Sequence, residues 1–195
     1  EVVLPSIRDH LLTWNPSCDI FVHTSNITSF SNPANDELDC AIRPHEVYLL
    51  TANVIMDDDE SYKKARPDYL SWREFHPSSP GSGCGWIYPN CIDNLMKQYH
   101  SIDRVWKLME ASGKRYDRVG LFRLDLLITR PIILHADNTP GVACDPSMQY
   151  GGLCDRMFYG DFKVARQWAS DRFSKAREYV RIHKELHAEM FTKYL

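Results

Sequence analysis

The chain has 195 residues, of which 44% are hydrophobic and 25% are charged, and its formal net charge at pH 7 is −3. This composition is typical of an ordinary globular protein, and the length suits one domain with its own core, so we predict a single domain over residues 1–195. The slightly negative charge gives no basis for nucleic-acid binding. No apolar run is long enough to span a membrane.

The first half of the chain predicts two helices and two strands. Apolar residues at helical spacing indicate the first helix, and β-branched or apolar runs indicate the strands. The second helix begins with acids and ends with lysines, as the helix dipole favours. In chain order the predicted elements are a helix over residues 5–14, a strand over 19–24, a long polar loop over 25–44, a strand over 47–56 and a helix over 57–64.

The second half predicts two long helices, a helical end that continues the second helix or restarts as another, and three strands, and it begins with a loop rich in Gly, Pro and Ser. These elements are the loop over residues 75–90, a helix over 92–112, a strand over 118–127, short strands over 141–144 and 157–160, a helix over 162–184 and a helical end over 185–195. Strands that alternate with helices predict an α/β fold with a mostly parallel sheet flanked by helices. Such a domain usually opens on a strand, so we expect the first strand to be missing and the chain to be a fragment.

The most informative segment is the apolar strand over residues 118–127, which contains Arg123 and Asp125. Charge inside a buried strand is costly unless the strand ends at a site. Ligands of open α/β sheets bind at the carboxyl ends of strands. Asp125 is therefore the first candidate functional residue, with Arg123 two positions earlier on the same predicted strand face. The alternative is a purely structural Arg–Asp pair.

An ordered set of motifs resembles a group of GT-A-type glycosyltransferases. The set consists of Tyr116-Asp117 after a helix, then Arg123-Leu124-Asp125, then Asp155-Arg156 with Gly160, and an acidic residue in a C-terminal helix, here Glu189. The order of these motifs covers most of residues 1–195. The resemblance implies a GT-A-like, Rossmann-type domain that transfers a sugar from a nucleotide-sugar donor to a glycan or other hydroxyl acceptor.

The resemblance also implies roles for particular residues. Asp125 would contact the donor or bind a divalent cation, Mn²⁺ or Mg²⁺, which prefer oxygen ligands, and His187 is a second candidate metal ligand. Arg123 and Arg156 would bind the donor, since a guanidinium pairs well with diphosphate oxygens. Asp155 would accept hydrogen bonds from sugar hydroxyls, and Glu189 would be the general base that deprotonates the acceptor.

Two other functions stay open at this point. One is a module of the same fold that binds a glycan or nucleotide without turnover, and the other is a disulfide-bonded extracellular interaction domain. The even cysteine count, with Cys84–Cys91 and Cys144–Cys154 as the shortest possible disulfide loops, and the glycosylation sequon at residues 26–28 favour the secretory pathway. For a glycosyltransferase this indicates the Golgi lumen, and the presence of a membrane anchor outside these residues stays open. A cytoplasmic location stays open.

Overall fold

The structure is a computed structural model, and it describes residues 2–32, 36–73, 90–135, 139–143 and 150–195. The chain is a mixed α/β protein. Its described helices are α1 (Val3–Ile7), which continues as a π-helical segment (Arg8–Leu12), α2 (Ser61–Ala65), α3 (Asn90–Ala111), α4 (Phe162–His183) and α5 (Ala188–Tyr194). Two 3-10 helices cover Pro44–Leu49 and Pro67–Ser71.

Seven strands in the described residues form three small sheets. They are β1 (Val22–Ser25), β2 (Ser29–Asn32), β3 (Glu37–Ala41), β4 (Val54–Asp57), β5 (Arg118–Phe122), β6 (Gly141–Ala143) and β7 (Met157–Asp161). β1 and β4 are parallel, β2 and β3 form an antiparallel pair, and the third sheet has the order β5-β7-β6 with antiparallel neighbours.

The α/β class is confirmed, but the prediction of a mostly parallel sheet is not met in the described part of the chain. One strand pair there is parallel, and the remaining pairs are antiparallel. Parallel neighbours need a long crossover, usually a helix, whereas antiparallel neighbours do not. The described residues between β5 and β7 contain no helix, which accords with the antiparallel pairing found there.

The two long helices were predicted almost to the residue, because each has one continuous apolar face. α3 buries Ile92, Met96 and Tyr99 along this face, and α4 buries Ala165, Ala169 and Ala176. Small alanines on α4 let the two helices approach closely. The helices pack on one another and on α5 to form the larger core, and on β5 and β7 to form a second core.

Several boundaries in the first half differ from the prediction. The predicted strand over residues 47–56 is a 3-10 helix followed by the shorter β4, and the apolar Leu49 in that 3-10 helix is 81% exposed. The strand prediction was therefore wrong where apolar side chains of this run face solvent. The predicted loop over 25–44 contains the β2–β3 hairpin, whose second strand is exposed throughout and so lacks a buried period-2 pattern.

Candidate active site

Arg123 and Asp125 lie in the turn that follows β5, because the strand ends at Phe122 and not at residue 127 as predicted. The amide of Arg123 donates to the carbonyl of Arg156, so this turn is tied to the segment that leads into β7. The Arg123 guanidinium binds the Asp125 carboxylate at both oxygens, with Nε 2.9 Å from Oδ1. The Asp125 side chain is 63% exposed, so this is a pair at the surface rather than one sealed in the core.

The Arg123 contact controls the charge of Asp125. Partial desolvation works against ionisation, but the hydrogen bonds and positive charge of Arg123, with a smaller effect of Arg156, outweigh it and lower the pKa of the Asp125 carboxyl group. Asp125 is thus an anion at neutral pH, as both the donor-binding and the metal-binding hypotheses require.

Asp155 is buried at the entrance to β7, and two helices hold its backbone in place. Its carbonyl accepts a hydrogen bond from Gln98 Nε2 of α3 at 2.9 Å and a longer one from Arg172 Nη1 of α4 at 3.4 Å. A buried carbonyl with two side-chain donors is fixed in position. The carboxylate of Asp155 is therefore presented from a rigid part of the chain.

Glu189 is buried in the first turn of α5, where the positive end of the helix dipole favours an acid. His187, which precedes the helix, places Nδ1 3.2 Å from Glu189 Oε2. The Glu189 carbonyl accepts a hydrogen bond from the Leu153 amide at 2.9 Å. Glu189 is thereby brought beside the segment that carries Asp155.

The pKa of Glu189 is raised. Burial is the largest cause and the negative charge of Asp155 is the second, while His187 and Arg156 act in the opposite direction. A carboxylate with a raised pKa is a better proton acceptor than an ordinary surface glutamate. This is the electrostatic setting that a general base needs.

The predicted site residues form one electrostatically connected group. The charge of Asp155 acts on Arg123 as well as on Glu189, and Arg156 acts on Asp125 as well as on Glu189. The group thus joins three short segments that span more than 60 positions of the chain, with the residues Arg123, Asp125, Asp155, Arg156, His187 and Glu189.

Sequence reasoning missed Arg172, which is fully buried and is influenced by the charges of Asp155 and Glu189. Its guanidinium carbon lies 3.6 Å from the centre of the Trp168 ring, and its Nη2 donates to Thr192 Oγ1 at 2.9 Å. Burial lowers the pKa of Arg172 to about 10, although Tyr99, Asp155 and Glu189 favour its charged form. It remains a cation at neutral pH and offsets the buried acids. An arginine inside the apolar face of α4 was the sequence signal for it.

A second polar group lies where β1, β4 and α3 meet. His23 Nε2 is 3.1 Å and His100 Nε2 is 3.6 Å from Oδ2 of Asp57, and one potential ligand atom from each residue lies within 4.8 Å of the others. In the described residues this is the one group of three or more His, Cys, Asp or Glu side chains close enough to hold a metal ion. Asp125 and His187 do not belong to such a group there.

The structure describes some of the cysteines and the glycosylation sequon. Cys154 is disulfide-bonded, whereas Cys18 and Cys40 are free thiols. Both predicted pairings involve a residue, Cys84 or Cys144, outside the described part of the chain. Asn26 of the sequon is exposed between β1 and β2, where it is accessible to modification.

Among the described helices, none combines the length and apolar character needed to cross a membrane. A comparison with protein-family models, with curated proteins and with solved structures finds no match to this chain.

Proposed function

We propose that this chain is a glycosyltransferase of GT-A-like, Rossmann-type architecture, which moves a sugar from a nucleotide-sugar donor to a hydroxyl acceptor. The observation that carries the proposal is the pairing of a buried acid of raised pKa, Glu189, with an exposed Arg–Asp turn through the Asp155–Arg156 segment. A sugar transfer needs both a base for the acceptor and cationic groups for the departing diphosphate.

The proposed reaction assigns one role to each group. Glu189 takes the proton from the acceptor hydroxyl as the acceptor oxygen bonds to the anomeric carbon of the donor. The bond from that carbon to the diphosphate breaks, and its electron pair leaves with the diphosphate. Arg123 and Arg156 would bind the departing diphosphate and offset its negative charge, and Asp155 would accept hydrogen bonds from sugar hydroxyls.

A divalent cation such as Mn²⁺ or Mg²⁺ would offset the diphosphate charge when it is bound. Asp125 offers it one carboxylate, so most of the remaining oxygen ligands would come from the donor phosphates and water, as is usual for Mg²⁺. The contact of His187 that bears on the reaction is with the proposed base, since its Nδ1 lies 3.2 Å from Glu189 Oε2. We therefore assign Asp125 as the metal contact and His187 as a positioning residue for Glu189.

The surface beside Glu189 suits an acceptor with an apolar face. Leu153 and Met190 are both exposed there, and Tyr150 is exposed a few residues before Leu153. Gly151 lies near the sulfur of Met190, which places the two segments side by side. Aromatic and apolar side chains next to a carboxylate are a common setting for a sugar ring.

The second candidate function is a binding module without turnover. The favouring observation is that both oxygens of Asp125 are engaged by Arg123, which leaves the carboxylate less available to a cation. The disulfide-bonded interaction domain is less favoured, because Cys18 and Cys40 are free thiols and that alternative expects all six cysteines to be oxidised.

Donor turnover separates the first two functions. A panel of nucleotide-sugars should show hydrolysis that is supported by Mn²⁺ and suppressed by a chelator. Glu189→Gln should remove the activity, while Glu178→Gln, at an exposed glutamate on α4, should leave it unchanged. Saturable nucleotide-sugar binding with no turnover for any donor would point to the binding module instead.

A further inference from the structure

We propose that His23, Asp57 and His100 form a transition-metal site, separate from the proposed sugar-transfer chemistry, that takes Zn²⁺ or a similar cation. The three side chains come from β1, from the last residue of β4 and from α3. A bound cation would cross-link three elements that are far apart in the sequence.

The spacing of the potential ligand atoms fits tetrahedral coordination. Zinc bonds to nitrogen and oxygen of about 2.0–2.1 Å imply separations of about 3.4 Å between neighbouring ligand atoms. The Asp57 Oδ2 atom is 3.1 Å from His23 Nε2 and 3.6 Å from His100 Nε2, and all three potential ligand atoms lie within 4.8 Å. A cation could enter with small side-chain adjustments.

The surroundings resemble the outer shell of a metal site. His23 Nδ1 lies 2.8 Å from Ser101 Oγ, and a hydrogen bond at the distal nitrogen is what orients most metal-binding histidines. Ser61 Oγ lies 3.2 Å from His100 Nε2 and provides an additional oxygen next to the ligand atoms. Both histidines and Asp57 are shielded from solvent, which strengthens coordination to a charged ion.

The charges around Asp57 also suit a metal ion that binds reversibly. Arg104 Nε lies 2.9 Å from Asp57 Oδ2, so this guanidinium neutralises the carboxylate when no metal is bound. Its side chain is 37% exposed and can withdraw towards solvent. Arg104 is therefore a competitor for the site, and removing it should strengthen metal binding.

The ligand set selects the kind of metal. Two imidazoles with one carboxylate suit Zn²⁺, Co²⁺ or Ni²⁺, whereas Mg²⁺ and Ca²⁺ prefer an all-oxygen shell. This preference differs from that of the cation proposed for donor binding. If the chain binds Co²⁺ but shows no sugar-transfer activity, the metal-site proposal stands and only the proposed function is rejected.

Cobalt titration of the chelator-stripped full chain tests the proposal, because tetrahedral Co²⁺ absorbs visible light and needs no enzymatic readout. We expect one equivalent to bind in the presence of excess Mg²⁺. His23→Gln and Asp57→Asn should each weaken binding at least tenfold, whereas the exposed His45→Gln should leave it unchanged. Circular dichroism of each variant identifies any that fails to fold.

Arg104→Gln provides a test of opposite sign. It should tighten cobalt binding, whereas a purely structural hydrogen-bond network would be weakened by the same change and would gain no affinity for metal. The proposal is overturned if the wild-type chain takes up no stoichiometric Co²⁺, or if His23→Gln and Asp57→Asn, when folded, bind it as tightly as the wild type.

Discussion

Gly152 lies directly against the backbone of Glu189, and a Cβ atom at position 152 would come within 2.0 Å of the Glu189 carbonyl oxygen. The hydrogen bond from the Leu153 amide to the Glu189 carbonyl oxygen holds the two backbone segments close together. Only glycine allows the Asp155 segment and the first turn of α5 to approach so closely. The separation of the two acids therefore depends on a residue with no side chain.

Gly152→Ala should displace α5 from the Asp155 segment. Since the clash is with backbone, we expect a loss of about 1–3 kcal/mol in the free energy of unfolding, together with reduced donor turnover. Urea denaturation measures the first effect. The control is Gly113→Ala, where nothing lies within 4 Å of the added Cβ and only the positive φ is unfavourable. Equal costs at both positions would contradict the close-approach argument.

Glu189→Gln should change how stability depends on pH. Because the pKa of Glu189 is raised in the folded state, the folded chain holds this proton more tightly than the unfolded chain does. That contribution is fully present below about pH 4.3, the ordinary glutamate pKa, and is lost as the pH rises through the folded-state value. Relative to the wild type, the variant should therefore gain stability between acid and neutral pH. Chemical denaturation across this range checks the prediction, and a constant difference would contradict it.

Arg172→Met should destabilise the chain strongly. The substitution removes the cation that offsets Asp155 and Glu189, and losing one member of a buried charged group costs about 3–5 kcal/mol. Arg177→Gln, at an exposed arginine on the same helix, should stay within about 0.5 kcal/mol. Unfolding free energies of the two variants give the comparison. A loss at position 172 no larger than at position 177 would show that the buried guanidinium does not stabilise the group.

Asp125→Asn should separate stability from ligand binding. The Asp125 pair is exposed, so its removal should cost about 1 kcal/mol or less. Under the proposed function it should nonetheless abolish the thermal shift produced by nucleotide-sugars with Mn²⁺, because specific ligand binding stabilises the native state by mass action. Asp58→Asn is the matched control, since Asp58 is also an exposed acid in an ion pair. An undiminished shift for Asp125→Asn would remove this residue from the site.

Sequence periodicity predicted the parts of the fold in which burial and pattern agree. The long helices α3 and α4 and the strand β7 appeared close to their predicted bounds, because each alternates apolar and polar residues according to its own geometry. The β2–β3 hairpin and the two 3-10 helices were missed. Their side chains are largely exposed or their turns are short, so no periodic apolar signal marks them.

The candidate site was predicted in part for a related reason. Asp125, Asp155 and Glu189 lie beside apolar segments, where an acidic residue can be recognised from the sequence alone. His23, Asp57 and His100 carry no such local signal, and they meet only because β1, β4 and α3 pack together. Arg172 has a local signal, but the partners that explain it come from three other elements.

One helix contributes to both polar groups through two residues that are two positions apart. Gln98 of α3 fixes the Asp155 carbonyl, whereas His100, two positions further on, faces Asp57. Any rotation of α3 about its axis shifts both residues at once, so the energetics of the two groups are not independent. Substitutions made one in each group should show non-additive free energies, and a cation held on one side of α3 would restrict how far the acids on the other side can drift apart.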